Sequence, residues 1–79
     1  MDEVEVSVIT VNDGWGFEIY RNGKKYIEQP TIPAVLGNIH FKTKEDAQSV
    51  GNLMKSKIEK GVIPPAITLK ELDSLEIRK

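Results

Sequence analysis

The sequence predicts a small α+β domain in which a three-stranded antiparallel meander packs against one amphipathic helix, followed by a short C-terminal helix. Three observations lead to this prediction: alternating β-branched residues near the N-terminus, a hairpin signal at Asn22-Gly23, and one segment with helical periodicity and a signal at both ends. Strands that come first and helices that follow are typical of an α+β domain. At 79 residues the chain has room for one domain with a modest core.

The first half of the chain predicts three strands, over residues 3–11, 15–21 and 24–29. In the first strand every second residue from Val4 to Val8 is valine, with polar residues between. In the second strand Trp15 and Phe17 share one face. Short turn segments separate the three runs, so consecutive strands are expected to pair as antiparallel neighbours.

The register of the second hairpin depends on the loop at Asn22-Gly23. A two-residue loop places Phe17 opposite Glu28, whereas a three-residue loop with a bulge at Gly23 places Phe17 opposite Ile27. The three-residue loop keeps apolar side chains together on the core face, and it is the register that we predict. The tight two-residue turn is the alternative, because Asn-Gly favours it.

The main helix is predicted over residues 44–60. Thr43 is a candidate N-cap with Asp46 three residues later, and Gly61 can take the left-handed conformation that ends a helix. Helical spacing places one set of apolar residues on a single face: Ala47, Val50, Met54 and Ile58. Gly51 lies near the centre of that face. It is expected either to let the helix approach the protein's own sheet closely or to make a contact with another subunit.

Two other apolar features have an open interpretation. Residues 30–38 form a proline-containing loop in which Ile32, Val35 and Leu36 are too apolar to face solvent; they either lie across the open edge of the core or form a contact patch. Trp15 stands between two glycines, which suggests a bend or a closely crossing chain. Its ring is expected to pack in the core, with an exposed anchor for a ligand as the alternative.

A short second helix is predicted over residues 69–75. Thr68 and Glu71 have the spacing of a capping box, in which each side chain satisfies a backbone N–H of the other residue. Leu69, Leu72 and Leu75 follow at helical spacing. This helix therefore has its own start signal.

The composition argues against an enzyme. His40 is the single histidine and there is no cysteine, so neither a histidine pair nor a thiolate site can hold a metal, and no cofactor or small-molecule substrate is evident. A net charge of −1 gives no general reason to expect nucleic acid as a partner. The apolar runs are too short to span a membrane, and no signal peptide is recognisable, so the chain as written is expected to be soluble.

Several short motifs together resemble a known family. They are Gly14-Trp15-Gly16-Phe17, Asn22-Gly23-Lys24, Ile32-Pro33, Gly37-Asn38, Phe41-Lys42-Thr43 and Pro64-Pro65, within about residues 15–75. In order and spacing they resemble the small Bacteroidetes proteins catalogued as domain of unknown function 4907. The resemblance implies no established activity, ligand or catalytic residue. It does imply an N-terminal membrane or lipoprotein signal in full-length relatives, and hence an envelope or periplasmic location if such a signal has been removed here.

Two functions are expected from these features. The first is a non-catalytic protein-interaction module that contacts a protein partner or itself as a homodimer, with these candidate contact residues: Trp15, Ile32, Val35, Leu36 and Gly51. The second, an alternative, is binding of nucleic acid or an anionic surface through the basic hairpin tip, where the following residues cluster: Tyr20, Arg21, Lys24, Lys25 and Tyr26.

Overall fold

The computed structural model describes residues 3–11, 14–35, 37, 39–62 and 65–77, and it has the predicted order of three strands and two helices. The elements are β1 (Val4–Val11), β2 (Gly14–Arg21), β3 (Lys24–Gln29), α1 (Lys44–Glu59) and α2 (Leu69–Ser74). The three strands form one antiparallel sheet in the order β1-β2-β3. The predicted α+β class and the meander are therefore confirmed.

The β1–β2 ladder is regular along its whole length. It pairs Val4 with Arg21 at one end and Val11 with Gly14 at the other, with no shift of register between them. Because side chains alternate along a strand, every second residue of β1 beginning with Val4 lies on the face that packs against α1. On the opposite face of the sheet Glu5 and Ser7 are exposed.

The β2–β3 hairpin corrects the predicted register. Asn22 and Gly23 both have positive φ angles, 54° and 81°, which is the geometry of the tight two-residue turn, so the predicted three-residue loop is wrong. The extra residue instead lies further along β3, at Tyr26, and this bulge pairs Ile27 with Ile19 rather than with Phe17. The tight Asn-Gly turn alone would place Tyr26 opposite Ile19. The extra residue at Tyr26 shifts the pairing by one, so that Ile27 lies opposite Ile19 and the apolar residues stay together.

Helix α1 has the predicted ends and the predicted buried face. The Thr43 hydroxyl accepts a hydrogen bond of 3.1 Å from the Asp46 backbone N–H. At the other end Gly61 has a φ of 79°, and the N–H of Val62 donates to the Lys57 carbonyl at 2.9 Å, as in a Schellman motif. The buried residues of the helix are Ala47, Val50, Gly51, Met54 and Ile58.

Helix α2 begins with the predicted capping box, in which Thr68 and Glu71 each satisfy a backbone N–H of the other. It also ends in a Schellman motif, since the N–H of Ile77 donates to the Leu72 carbonyl at 3.1 Å. Leu72 and Ile77 are buried in the same core cluster as the residues of α1 and the sheet. The C-terminal segment is therefore fixed at both ends of its helix.

Candidate functional site

The apolar loop contributes its first predicted contact residue to the core. Ile32 is 1% exposed, and its backbone N–H donates to the Ile39 carbonyl at 2.7 Å, which closes the loop on itself. Val35 is half-buried against the core, and Leu36 lies outside the described residues. Of the two predicted alternatives for this loop, Ile32 takes the one in which the loop covers the core.

Trp15 joins the end of the loop to the sheet. Its backbone exchanges two hydrogen bonds with Phe41, of 2.9 and 3.0 Å, on the β3 side of β2, beyond the point where the pairing with β3 ends. Gly14 permits this crossing, because a Cβ there would lie 2.5 Å from the Phe41 carbonyl oxygen. Gly16 makes room instead for the end of β3, since its Cβ would lie 2.8 Å from the Gln29 carbonyl oxygen. The half-buried Trp15 ring packs against the core, as expected.

Gly51 faces the protein's own sheet. A Cβ at this position would lie 2.6 Å from Val6 Cγ1 and 3.3 Å from the ring of Phe17. The missing side chain therefore lets α1 lie directly over β1 and β2. This is the first of the two alternatives predicted for Gly51, and it leaves no surface there for a partner.

The basic hairpin tip has acidic neighbours. Lys25 Nζ lies 2.9 Å from a Glu18 oxygen and 3.0 Å from a Glu28 oxygen, and the Tyr20 hydroxyl donates to Glu18 at 3.0 Å. The hydrogen bond from Lys25 holds the pKa of Glu18 below its usual range, and the Glu18 carboxylate in turn raises the pKa values of Lys25 and Tyr20. These carboxylates offset the positive charge that an anionic ligand would need.

Arg21 and Lys24 complete this tip. The Arg21 guanidinium lies 5.5 Å from the centre of the Tyr26 ring, and Lys24 is exposed. The Tyr26 ring is 40% exposed. The structure therefore brings the five predicted residues together. Two of them, Tyr20 and Lys25, are bound to the Glu18 carboxylate.

His40 and the acidic residues form no metal centre in the described ranges. The Nδ1 atom of His40 lies 2.6 Å from the Pro30 carbonyl oxygen, so this nitrogen carries the proton that it donates. Residues 3–11, 14–35, 37, 39–62 and 65–77 contain no group of three or more histidine, cysteine or acidic residues able to hold a metal ion. The histidine thus fastens the two ends of the apolar loop.

A shallow apolar groove runs between β3, the loop and the chain that follows α1. Its volume is about 320 Å³. It is lined by Ile27, Gln29, Pro33, Ala34, Met54, Pro65, Ala66 and Ile67. The residues that line the groove could make apolar contacts with a ligand but provide few polar groups for hydrogen bonds.

The outer edge of β1 carries a row of backbone groups that pair with no backbone group of the described residues. The Asn22 N–H donates to the Glu3 carbonyl at 2.8 Å, so this pair belongs to the hydrogen-bonded pairs of the β1–β2 ladder. Trp15 uses its N–H and C=O toward Phe41, so its partner Thr10 belongs to the non-hydrogen-bonded pairs. Hydrogen-bonded and non-hydrogen-bonded pairs alternate along an antiparallel ladder. The pair at Glu3 and the pair at Thr10 therefore lead to the same assignment for every residue between them. The backbone groups that point away from β2 belong to Val4, Val6, Val8 and Thr10.

These groups have no backbone partner among the described residues. The strand that carries them is eight residues long, has no bulge, and contains neither proline nor a basic residue. Thr10 and Ser7 are exposed, Val6 and Val8 are half-buried, and Val4, at the end of this row, is buried. Such an edge is a ready template for another strand.

The edge of β3 is protected by comparison. Lys24 and Lys25 begin the strand, the bulge at Tyr26 interrupts it, and Pro30, which lacks an N–H, follows directly after it. Each of these devices discourages edge-to-edge pairing. In the part of the chain that the structure describes, the sheet therefore has one blunted edge, at β3, and one open edge, at β1.

The predicted meander implies at least one unpaired strand edge, but the sequence does not identify β1 as that edge, and the contact residues predicted from the sequence are the apolar ones. The run from Val4 to Val11, without lysine or proline, was the available signal. Its importance depends on the strand order and on which groups the ladder uses, because only an outer strand has a free edge. The structure supplies both the order and the pairing.

The comparisons with known proteins give a family without a function. The family model described as Domain of unknown function (DUF4907) matches residues 7–74. No curated protein and no solved structure matches the chain. In the parts of the chain that the structure describes, neither helix has the length and apolar character needed to cross a membrane.

Proposed function

The chain belongs to the family of the Domain of unknown function (DUF4907), and we propose that it acts as a protein-interaction module whose β1 edge accepts an extended strand of a protein partner. One observation carries the proposal: four residues of β1 direct their N–H and C=O groups outward, and no described backbone group pairs with them. An added strand would satisfy these groups directly. Each such hydrogen bond contributes a net ~0.5–1.5 kcal/mol.

The side chains of β1 define the kind of strand that fits. On the face covered by α1, Val6 and Val8 are half-buried, so a partner strand would cover them with apolar residues. On the open face Glu5 and Ser7 are exposed, so polar residues fit there. The proposed partner segment therefore alternates apolar and polar residues and carries no acidic residue opposite Glu5.

A selected peptide tests the proposal. Octapeptides selected from a random library for binding to this protein are expected to protect the backbone amides of Val6, Val8 and Thr10 from hydrogen exchange. The Thr10→Pro variant removes one outward N–H, does not touch the β1–β2 ladder, and is expected to weaken peptide binding about tenfold.

The matched control is Thr10→Ala, which keeps the N–H and should bind like the parent. Selected peptides that leave the β1 amides exchanging freely, or that bind Thr10→Pro as well as Thr10→Ala, would refute the proposal. An envelope location of the full-length protein stays a prediction from the family resemblance. Fractionation of cells that express the full-length protein tests it separately.

A further inference from the structure

We infer that the protein partner is a second copy of this chain, with two β1 strands paired antiparallel about a two-fold axis at Ser7; this inference rests on the proposed function. The outward groups belong to alternate residues from Val4 to Thr10, and Ser7 is the midpoint of that set. A two-fold axis at Ser7 pairs Val4 with Thr10 of the second copy and Val6 with its Val8. Neither neighbouring register, centred at Val6 or Val8, pairs all four residues.

The charges of β1 suit this register. Glu5 is the single charged residue of β1, and an axis at Ser7 places it opposite Ile9 of the second copy rather than opposite the other Glu5. Like charges directly opposite each other destabilise a sheet, so the register avoids a penalty. Ser7 meets Ser7 on the exposed face, where two hydroxyl groups can share a hydrogen bond.

The helices also leave room for a second copy. Gly51 places α1 over Val6 and Phe17, so at this residue the helix lies between β1 and β2. Strands lie about 4.8 Å apart, so two symmetry-related α1 helices would lie roughly 10 Å apart on the same face of a six-stranded sheet. That spacing matches the usual distance between packed helices.

The assembly would stop at two copies. Pairing through β1 uses the same surface of both chains, which is a closed two-fold arrangement. The outer edges of the resulting sheet are both β3, and each carries two lysines, a bulge and a following proline. These edges resist further addition, so a dimer rather than a fibre is expected.

Single cysteines test the register, because the natural chain contains none. In the Ser7→Cys variant the two cysteines would occupy a non-hydrogen-bonded pair with Cα atoms about 4.5 Å apart, within the range of a disulfide. We expect this variant to oxidise to a covalent dimer that is seen on a non-reducing gel. Glu5→Cys and Ile9→Cys are the matched controls, since each cysteine would lie about 14 Å from its own symmetry mate.

A mixture of the two control variants sharpens the test. The thiol introduced by Glu5→Cys in one copy would face the thiol introduced by Ile9→Cys in the other. The mixture should therefore form a cross-linked heterodimer, although neither variant cross-links efficiently alone.

Light scattering of the unmodified protein should give the mass of a dimer. Thr10→Pro removes an outward N–H from each copy and is expected to raise the dissociation constant about ten- to hundredfold, whereas Thr10→Ala should not.

Several results would overturn the inference. A protein that stays monomeric at millimolar concentration, with Ser7→Cys forming no cross-link, excludes the second copy as partner. Efficient cross-linking of Ile9→Cys alone would exclude the axis at Ser7. In either case a selected peptide that still protects the β1 amides keeps the proposed function, whereas loss of that protection as well removes both.

Discussion

The ammonium nitrogen of Lys57 lies 2.7 Å from the Glu71 carboxylate, and this contact joins the last turn of α1 to the first turn of α2. The same glutamate oxygen accepts the Thr68 backbone N–H at 2.9 Å, and Lys57 also donates to the Ala66 carbonyl. One ion pair therefore fastens the crossing segment and the start of α2 to the main helix.

This ion pair predicts loss of stability in acid. The Lys57 hydrogen bond, with help from the Thr68 N–H, lowers the pKa of Glu71 below its ordinary value of 4.5. A carboxyl group with a lower pKa in the folded state stabilises the protein above its unfolded pKa and loses that contribution as the pH falls through the folded pKa. The melting temperature is therefore expected to fall as the pH drops below about 4.5.

The Glu71→Gln variant should have a lower melting temperature than the parent at pH 7. Its melting temperature should also fall less than that of the parent as the pH is lowered. Lys57→Met removes the other partner and should flatten the profile in the same way, and the double variant should add little to either single change. Among the described carboxyl groups, Glu18 would contribute to the dependence that remains, because the Lys25 hydrogen bond also lowers its pKa. A Glu71→Gln variant with the full parental acid dependence would contradict the assignment.

Gly51→Ala is predicted to destabilise the protein although alanine is the better helix former. The helical preference favours alanine by about 1 kcal/mol, but overpacking a tight core costs ~1–3 kcal/mol. The new methyl group would approach Val6 Cγ1 at 2.6 Å, and valine has little rotamer freedom with which to yield. A net loss of up to about 2 kcal/mol is expected in urea unfolding.

The control is the pair Val6→Ala and Gly51→Ala together. Removing the valine methyl groups makes space for the alanine, so the double variant should be more stable than the sum of the single losses predicts. A stabilising Gly51→Ala would mean that α1 does not lie against β1 as closely as described.

Local signals explain why α1 could be predicted from the sequence. Thr43 and Asp46 mark its start, Gly61 marks its end, and the spacing of the apolar residues defines its buried face, all within one continuous segment. The Asn22-Gly23 turn is likewise coded by two adjacent residues. Features of this kind depend on neighbours in sequence, so they can be recognised without knowing the tertiary contacts.

The bulge at Tyr26 could not be predicted in the same way, and the sequence leaves the burial of Ile32 as one of two alternatives. The bulge depends on how β3 pairs with β2, where the position of Ile27 opposite Ile19 decides the register. Ile32 is buried because a hydrogen bond to Ile39 folds the loop back over the core. The open edge of β1 depends on the order of all three strands. Each of these is a property of the assembled sheet rather than of one segment.

Gly14→Ala is predicted to break the crossing between β2 and the end of the apolar loop. The added Cβ would lie 2.5 Å from the Phe41 carbonyl oxygen, and backbone atoms cannot move aside as a flexible side chain can. The two hydrogen bonds between Trp15 and Phe41 should be lost or stretched, which would lower stability by ~1–3 kcal/mol.

Trp15 is the single tryptophan, so its fluorescence reports directly on this crossing. A shift of its emission to longer wavelength is expected in Gly14→Ala, together with a lower unfolding midpoint. Gly23→Ala provides a control, because nothing lies within 4 Å of its Cβ position and its φ of 81° makes the cost purely conformational. Gly23→Ala should therefore lose stability while the emission of the folded protein stays unchanged.

Glu76→Gly is predicted to stabilise the protein. Glu76 follows α2 in the position of a Schellman motif that glycine usually occupies, and its φ of 57° is a left-handed conformation. That conformation costs an ordinary residue ~1–2 kcal/mol, whereas glycine adopts it without strain but loses more backbone entropy on folding, about 0.5–1 kcal/mol. The net gain should be about 0.5–1 kcal/mol in urea unfolding.

The matched control lies at the end of α1, where Gly61 occupies the equivalent position with a φ of 79° and open space around its Cβ position. Gly61→Ala should lose about 1 kcal/mol, because the same left-handed conformation is then imposed on a residue with a side chain. The two substitutions therefore change the stability in opposite directions, because both act on a left-handed residue at the end of a helix. A Glu76→Gly variant less stable than the parent would show that the Glu76 side chain contributes more than its backbone strain removes.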